Sequence, residues 1–419
     1  MITPEPRELP HLVQDLHQRN RPWLPAGLAS RLDWGPPVAR PHTVLSCARL
    51  NRILEHNPGD FTITVEAGTP LVAVQQALQP HGQWLPLDWP WGSGPAGEGS
   101  GSIGGLVARG QAGGYRQRYL GVRDQMIGIH LLRSDGVAAR AGGKVVKNVA
   151  GYDLMRLLCG SWGSLALITA VTLRTQPIPP HRQGLRLQGP TAALAAFSRW
   201  LLGSSLSPER IDWQRLGAAG SGAGPGADTL LISLASISAQ TLQEQIACIE
   251  EKAGAAPGAA AGADSGSLLV HRLAADELAA AEAPSPGAGP GAGSDAAAGA
   301  AWLLRLGVRP ERVPDLLTTP ALAGLELVLG AGSGLGHAWG SAAVPVHRVE
   351  ALRRHCREAG GMVTVLRQPG GSSIPAWLDA PSRPLIEAVK RQFDPKQQLA
   401  RGRLPGVEPP GVAEPPPAG

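Results

Sequence analysis

GGKVVKNVAGYDLMRLLCGSWGSLALIT, residues 142–169, changes character twice. It opens glycine-rich and basic. Residues 150–160 then carry a helical period, and residues 164–174 form an apolar run of the kind that makes a buried strand. Gly160 and Gly163 lie between the two, where a helix C-cap and a turn into a strand are expected. Lys147, Asn148, Tyr152 and Asp153 sit at the other junction. The plain reading there is a strand-to-helix connection with Asp153 near a helix N-terminus.

Upstream, residues 84–105 form a dense glycine cluster ending Gly101-Ser102-Ile103-Gly104-Gly105. Gly99, Gly101 and Gly104 satisfy G-x-G-x-x-G, and Asp124 follows at the spacing of a Rossmann ribose ligand. The residues before it include Trp89-Pro90-Trp91, which do not make a buried parallel strand, so that reading fails. Further upstream the pattern gives a helix at 9–19, a Gly/Pro loop at 21–35, a strand at 43–46, a helix at 47–56, a strand at 61–67 and a helix at 71–81. Thr69 is expected to cap that last helix, with Pro70 at its first position. Residues 105–109 read as a helical turn followed by a loop. A strand at 126–133 ends at the Ser134-Asp135-Gly136 turn.

Downstream of 181 the pattern becomes strand–helix–strand. Strands are expected near 185–188, 211–215, 229–235, 268–273, 302–308, 325–330, 340–346 and 361–366. Helices are expected near 191–202, 239–252, 311–318, 347–359 and 382–393. Ala/Gly-rich stretches at 217–227, 253–267 and 279–301 read as disordered insertions, and 405–419 as a disordered proline-rich tail.

Composition narrows the function classes. The chain has 55 Gly and 39 Pro in 419 residues, no collagen period, and 43% hydrophobic against 17% charged residues, which excludes wholesale disorder. The net charge is +5, but Lys is confined to Lys144, Lys147, Lys252, Lys390 and Lys396, and no basic run or nucleic-acid motif occurs, so no nucleic-acid partner is expected. The block 216–300 is acidic. Cys47, Cys159, Cys248 and Cys356 form no C-x-x-C, so the chain offers no local ligand set for an iron–sulfur cluster or thiolate zinc, and no metal site is expected. No signal pattern or long apolar run is present. A cytoplasmic chain that reaches membranes only through partners is the expectation.

Taken in order, the loop Pro25-Ala26-Gly27-Leu28-Ala29-Ser30, the 101–105 segment and 142–169 resemble the FAD-binding domain of the p-cresol methylhydroxylase (PCMH)/vanillyl-alcohol oxidase superfamily. GGKVVKNVAGYDL is the narrower signal and resembles the FAD-binding E subunits of bacterial glycolate oxidases. The close VKRQFDPKQQLARGRLPG (389–406) is similar to that superfamily's ending, with Ala400-Arg401 in place of Asn-Pro. The likeness is close over 1–180 and loose over 181–404.

The resemblance implies an α+β protein. It has a PCMH-type FAD-binding domain of two α/β subdomains at 1–180 and a smaller α+β cap domain at 181–375. A C-terminal segment at 376–404 returns to the first domain. The implied cofactor is FAD. In the family the 25–30 turn holds the pyrophosphate, and small residues there let backbone N–H groups approach it. Gly101, Ser102, Ile103, Gly104 and Gly105 would flank the pyrophosphate and flavin ring. Gly160, Ser161, Gly163 and Ile168 would face the adenine edge. Lys147, Gly151 and Tyr152 would lie near the flavin or its phosphates. The 25–30 loop contains no His or Cys, so non-covalent FAD is expected.

The catalytic group is less legible. Leu329–His337 resembles a histidine-bearing cap strand of catalytic relatives but lacks its first His and its Asn, leaving His337 as a base or a strand-end residue. The implied partners are a catalytic flavoprotein subunit and an iron–sulfur subunit of a glycolate oxidase complex. The alternatives are a stand-alone 2-hydroxyacid dehydrogenase gripping its substrate with Arg109, Arg116 or Arg118, and a scaffold without flavin.

Overall fold

The computed structural model describes residues 1–88, 101–143, 153–217, 226–254, 268–283, 302–378, 380–405 and 407. The expected insertions fall largely outside these residues, the tail almost entirely, and Lys147, Gly151 and Tyr152 wholly. The chain is α+β and is built on two large antiparallel sheets with a small parallel pair at the N-terminus.

The parallel pair joins Trp23–Ala26 to Thr43–Ser46. The first of these was expected to be loop, but Trp23, Leu24 and Ala26 are buried, and Trp23 and Leu45 share a core with helix Leu9–Gln18. Pro25 is tolerated in this edge strand because such a strand leaves N–H groups unpaired.

The five-stranded sheet runs Ile53–Asn57, Thr62–Glu66, Leu167–Arg174, Met126–Leu132, Ala138–Gly142, each antiparallel to its neighbour. The expected helix at 47–56 is thus replaced. Leu50 N–H closes a turn onto the Cys47 carbonyl, and Ile53 then pairs with Val65. Every residue of Thr62–Glu66 is buried, as for a strand covered on both faces. Helix Leu71–Leu78 starts where expected and ends earlier, with the cap one residue later than read. Pro70 occupies the cap position in extended conformation, and the Thr69 hydroxyl bonds the Arg52 carbonyl at 3.4 Å. Short helices at Arg116–Tyr119 and Val122–Gln125 fill the expected loop after 109.

The eight-stranded antiparallel sheet runs Leu269–Leu273, His181–Gln188, Asp228–Ser236, Pro208–Arg215, Glu326–Gly330, Leu335–Gly340, Trp302–Gly307, Met362–Arg367. Helices Thr191–Gly203, Ala239–Gly254, Val313–Thr318 and Val346–Glu358 contribute to the core in which Trp213 and Trp302 are buried. The strand expected at 340–346 lies earlier, at Leu335–Gly340. Gly336 permits the shift, since a Cβ there would sit 2.0 Å from the Val328 carbonyl oxygen. Helix Ala275–Glu282 takes up the start of the stretch expected to be disordered from 279. Leu278 and Ala281 pack it on the other face of the sheet.

The two halves interlock. Arg210 reaches Asp88 at 3.1 Å, Arg367 reaches Asp33 at 2.9 Å, and Arg305 donates to the carbonyls of Arg109 (3.3 Å) and Gly110 (3.0 Å). The C-terminal stretch returns to the first half. Trp23 N–H donates to the Gln398 carbonyl, Ala400 N–H to the Trp23 carbonyl, and the buried Lys390 ammonium to the Ser164 carbonyl at 2.8 Å.

Candidate functional site

Between the parallel pair, the N-terminus of helix Ile103–Arg109 and strand Leu167–Arg174 lies a cleft enclosing, with the solvent at its open mouth, about 750 Å³. Its first wall is the turn leaving strand Trp23–Ala26. Pro25, Ala26, Gly27, Leu28, Ala29 and Ser30 all line it. Ala29 holds φ at +58°, a left-handed conformation that a larger branched side chain would resist. Gly27 is forced by packing, since a Cβ there would lie 1.9 Å from Ser102 Oγ.

The second wall is the helix start. Ser102 is the N-cap, its hydroxyl accepting from Gly105 N–H at 3.2 Å. Ile103 N–H donates to the Thr69 carbonyl (3.0 Å) and Gly104 N–H to the Ala67 carbonyl (2.8 Å), which locks the helix onto the end of strand Thr62–Glu66. Gly101, Ser102, Gly104 and Gly105 line the cleft. Ile103 does not; it is fully buried in the core behind. The expected reason for Gly104 also changes. A Cβ there would meet Ala67 Cβ at 2.7 Å, so this glycine serves close packing of the helix on the strand.

The third wall comes from 162–168. Gly163, at φ +72°, lies against Pro25, and Ile168 completes the edge. Gly160 and Ser161 stand outside the lining. Gly160, at φ +83°, donates to the Val107 carbonyl, and Ser161 N–H bonds the Leu158 carbonyl, so both serve the turn that ends helix Leu154–Leu158.

Sequence reasoning missed Arg31, Arg403, Trp162 and Cys47, which also line the cleft, and gave Arg109 a different task. The guanidiniums of Arg31 and Arg109 lie over the Trp34 ring at 5.0 and 5.1 Å. Burial pulls Arg31 down to about 10, partly countered by Asp33, and Arg403 likewise. Arg109 falls to about 9 through burial, then the nearby Arg31 and Arg403. No local motif marks Arg31 or Arg109, and Arg403 lies in the 389–406 ending without a role read for it. Burial pushes the Cys47 thiol up to about 12, which leaves it protonated and unreactive.

These features fit FAD. The cleft is lined by small residues over two of its walls and concentrates positive charge, and Arg109 Nε is buried without an acceptor. Arg116 and Arg118 are elsewhere. Arg116 pairs with Asp124 at 3.7 Å, and Arg118 is exposed. Among the described residues no cluster of three His, Cys, Asp or Glu side chains could hold a metal, and no helix is long and apolar enough to cross a membrane.

A second cavity of about 480 Å³ opens between the halves, bordered by Asp88, Gly113, Arg210, Glu282, His337 and Trp339. The Asp88 carboxylate accepts from Gly113 N–H (2.6 Å), Tyr115 N–H (3.1 Å) and Arg210 (3.1 Å). Arg210 also pairs with the fully buried Asp212, whose carboxyl burial raises to about 6 despite that cation. His337 is enclosed, and burial, then Arg305 and Arg109, hold its pKa at about 3.

Comparison with known proteins agrees with this geometry. A family model described as an FAD binding domain matches residues 4–142. The glycolate oxidase subunit GlcE of Escherichia coli (strain K12) is 35% identical over 182 residues, 43% of this chain and 50% of that protein. A D-2-hydroxyglutarate dehydrogenase of Xanthomonas citri pv. viticola is 39% identical over 159 residues, 38% of this chain and 32% of that protein. The chain therefore aligns with half or less of the length of these relatives. An alkyldihydroxyacetonephosphate synthase structure superposes on 96% of this chain and 77% of its own with a TM-score of 0.67 at 13% identity, a likeness of fold. Residues 4–142 of this chain are thus similar to FAD binding domains, and the rest of the chain shares the fold of the solved neighbour.

Proposed function

We propose that the chain is the FAD-binding subunit of a 2-hydroxyacid oxidoreductase complex of the glycolate oxidase type. FAD is held non-covalently in the Pro25–Ser30/Gly101–Gly105 cleft and supplies a two-electron acceptor. Cys47, the thiol that borders the cleft, is kept protonated and makes a poor tether. The names of the relatives support the substrate class, and GlcE is named a subunit.

The charge balance of the second cavity carries the reading. A hydroxyacid dehydrogenase needs a cation for the substrate carboxylate and a base for the hydroxyl proton. Arg210 is the guanidinium bordering this cavity, and Asp88 and Asp212 both pair with it. Glu282 adds a further carboxylate. His337 is desolvated beside two arginines, which opposes the imidazolium that a general base must become. An anionic substrate is disfavoured there. Oxidation of glycolate to glyoxylate would then require a catalytic flavoprotein partner, with an iron–sulfur partner accepting the electrons.

Absorbance near 450 nm, before and after acid precipitation, tests the cofactor. Assays on glycolate and D-lactate with an artificial acceptor test the division of labour. The expected result is a yellow chain that releases its flavin on precipitation, is inert alone, and is active with co-expressed partners. Turnover by the purified chain alone would select a stand-alone dehydrogenase. A colourless folded chain would select a scaffold.

A further inference from the structure

Three guanidiniums converge on the cleft from separate parts of the chain. Arg31 follows the 25–30 turn, Arg109 ends helix Ile103–Arg109, and Arg403 comes from the C-terminal stretch. The position of a Cβ on Gly101 lies 2.5 Å from Arg31 Nη1 and 3.6 Å from Arg109 Nη2, so both heads hang over one glycine beside the Ser102 cap. Arg403 is anchored on the Leu32 carbonyl and is 6% exposed. Asp33 is the carboxylate whose field reaches all three, and it is also paired with Arg367 at 2.9 Å.

Among the described residues the three cations share the field of one carboxylate, and gathering them so in a half-buried cleft is costly unless an anion joins them. Trp34 offsets part of the cost for two of them by cation–π contact, but leaves their charge in place. The 25–30 turn contains a single glycine, and that glycine is packed against Ser102. Its capacity to wrap an anion in backbone N–H groups is correspondingly small, and guanidiniums offer fixed forks of donors that match phosphate oxygens.

We propose that Arg31, Arg109 and Arg403 form the grip on the dinucleotide's pyrophosphate, each guanidinium donating to phosphate oxygens. This rests on the FAD reading above and adds to it the residues that set cofactor affinity and its dependence on salt. Riboflavin, which shares the ring but has no phosphate, should gain nothing from them.

The test uses the full chain stripped of flavin. Wild type and Arg31→Gln, Arg109→Met and Arg403→Gln variants are titrated with FAD and with riboflavin by flavin fluorescence, and with inorganic pyrophosphate by calorimetry. Wild type should bind FAD more tightly than riboflavin, lose that advantage as salt is raised, and bind pyrophosphate competitively with FAD. Each variant should lose roughly 10- to 100-fold in FAD affinity, keep its riboflavin affinity and bind pyrophosphate poorly. Removing one of three like charges should also raise the melting temperature of the flavin-free variants above that of wild type. Variants that retain full FAD affinity, lose FAD and riboflavin equally, or melt below wild type without flavin overturn the assignment. If wild type binds FAD and the variants are unaffected, only the grip is wrong. If wild type takes up neither flavin, the cofactor reading falls with it.

Discussion

Gly27 and Gly104 show how one residue type serves two ends inside one cleft. Both border it, yet the missing Cβ of Gly27 makes room for the Ser102 hydroxyl and that of Gly104 for Ala67. Gly27→Val should therefore break the Ser102 cap, costing about 1 kcal/mol from the cap alone, and displace the turn. The expected outcome is a folded protein with a lowered A450/A280 ratio after purification. A variant with wild-type flavin content would show that the turn yields without harm. Gly104→Trp, by contrast, would report on helix packing and say little about the flavin ring. The small residues at 25–30 and 101–105 were legible because their spacing is local. Arg31, Arg109 and Arg403 were not, since their convergence depends on three elements far apart in the chain. Gly160 stands open to two readings; its N–H donates to the Val107 carbonyl of helix Ile103–Arg109, and it lies outside the lining of the cleft.

At the scale of elements, the strand and helix signals failed where sheet pairing overrode propensity. Segment 47–56 has helical residues but is drawn into the five-stranded sheet by Ile53–Val65 pairing. Ala138–Gly142 escaped notice because its alanines and glycine carry little strand signal, yet Met126–Leu132 supplies its ladder. Helix Arg383–Phe393 was legible, and its link to the first half of the chain was not. Lys390 donates to Ser164 O (2.8 Å), Leu399 O (2.8 Å) and Asp394 (2.5 Å), with both charged groups buried. Lys390→Met would leave Asp394 buried without its cation, a loss of about 3–5 kcal/mol. Chemical denaturation should show it. The double variant Lys390→Met/Asp394→Leu should recover most of the loss, and failure to recover would mean that the carbonyl contacts dominate.

For the whole molecule, acid stability is the accessible readout. Folded His337 stays neutral down to about pH 3, whereas its unfolded counterpart takes up a proton near pH 6.5. Between those values the unfolded state holds the extra proton, so stability falls as pH falls, by about 1.4 kcal/mol per unit from this group. Urea midpoints at pH 6.5 and pH 5 should differ accordingly, and His337→Asn should flatten the difference. An unchanged slope in that variant would place the acid sensitivity elsewhere. Residues 329–337 suggested a catalytic strand because glycines and a terminal histidine recur there. What the linear pattern lacked was the neighbourhood: Arg305 stands directly opposite His337 in the ladder.

Arg305 has another consequence. Its guanidinium holds the carbonyls of Arg109 and Gly110, while the Arg109 side chain faces the cleft. One residue is thus gripped from behind by the eight-stranded sheet and exposed in front to whatever fills the cleft. Displacing that sheet drags on the same backbone that carries a cleft-lining cation. The seating of the second half is thereby tied to that backbone.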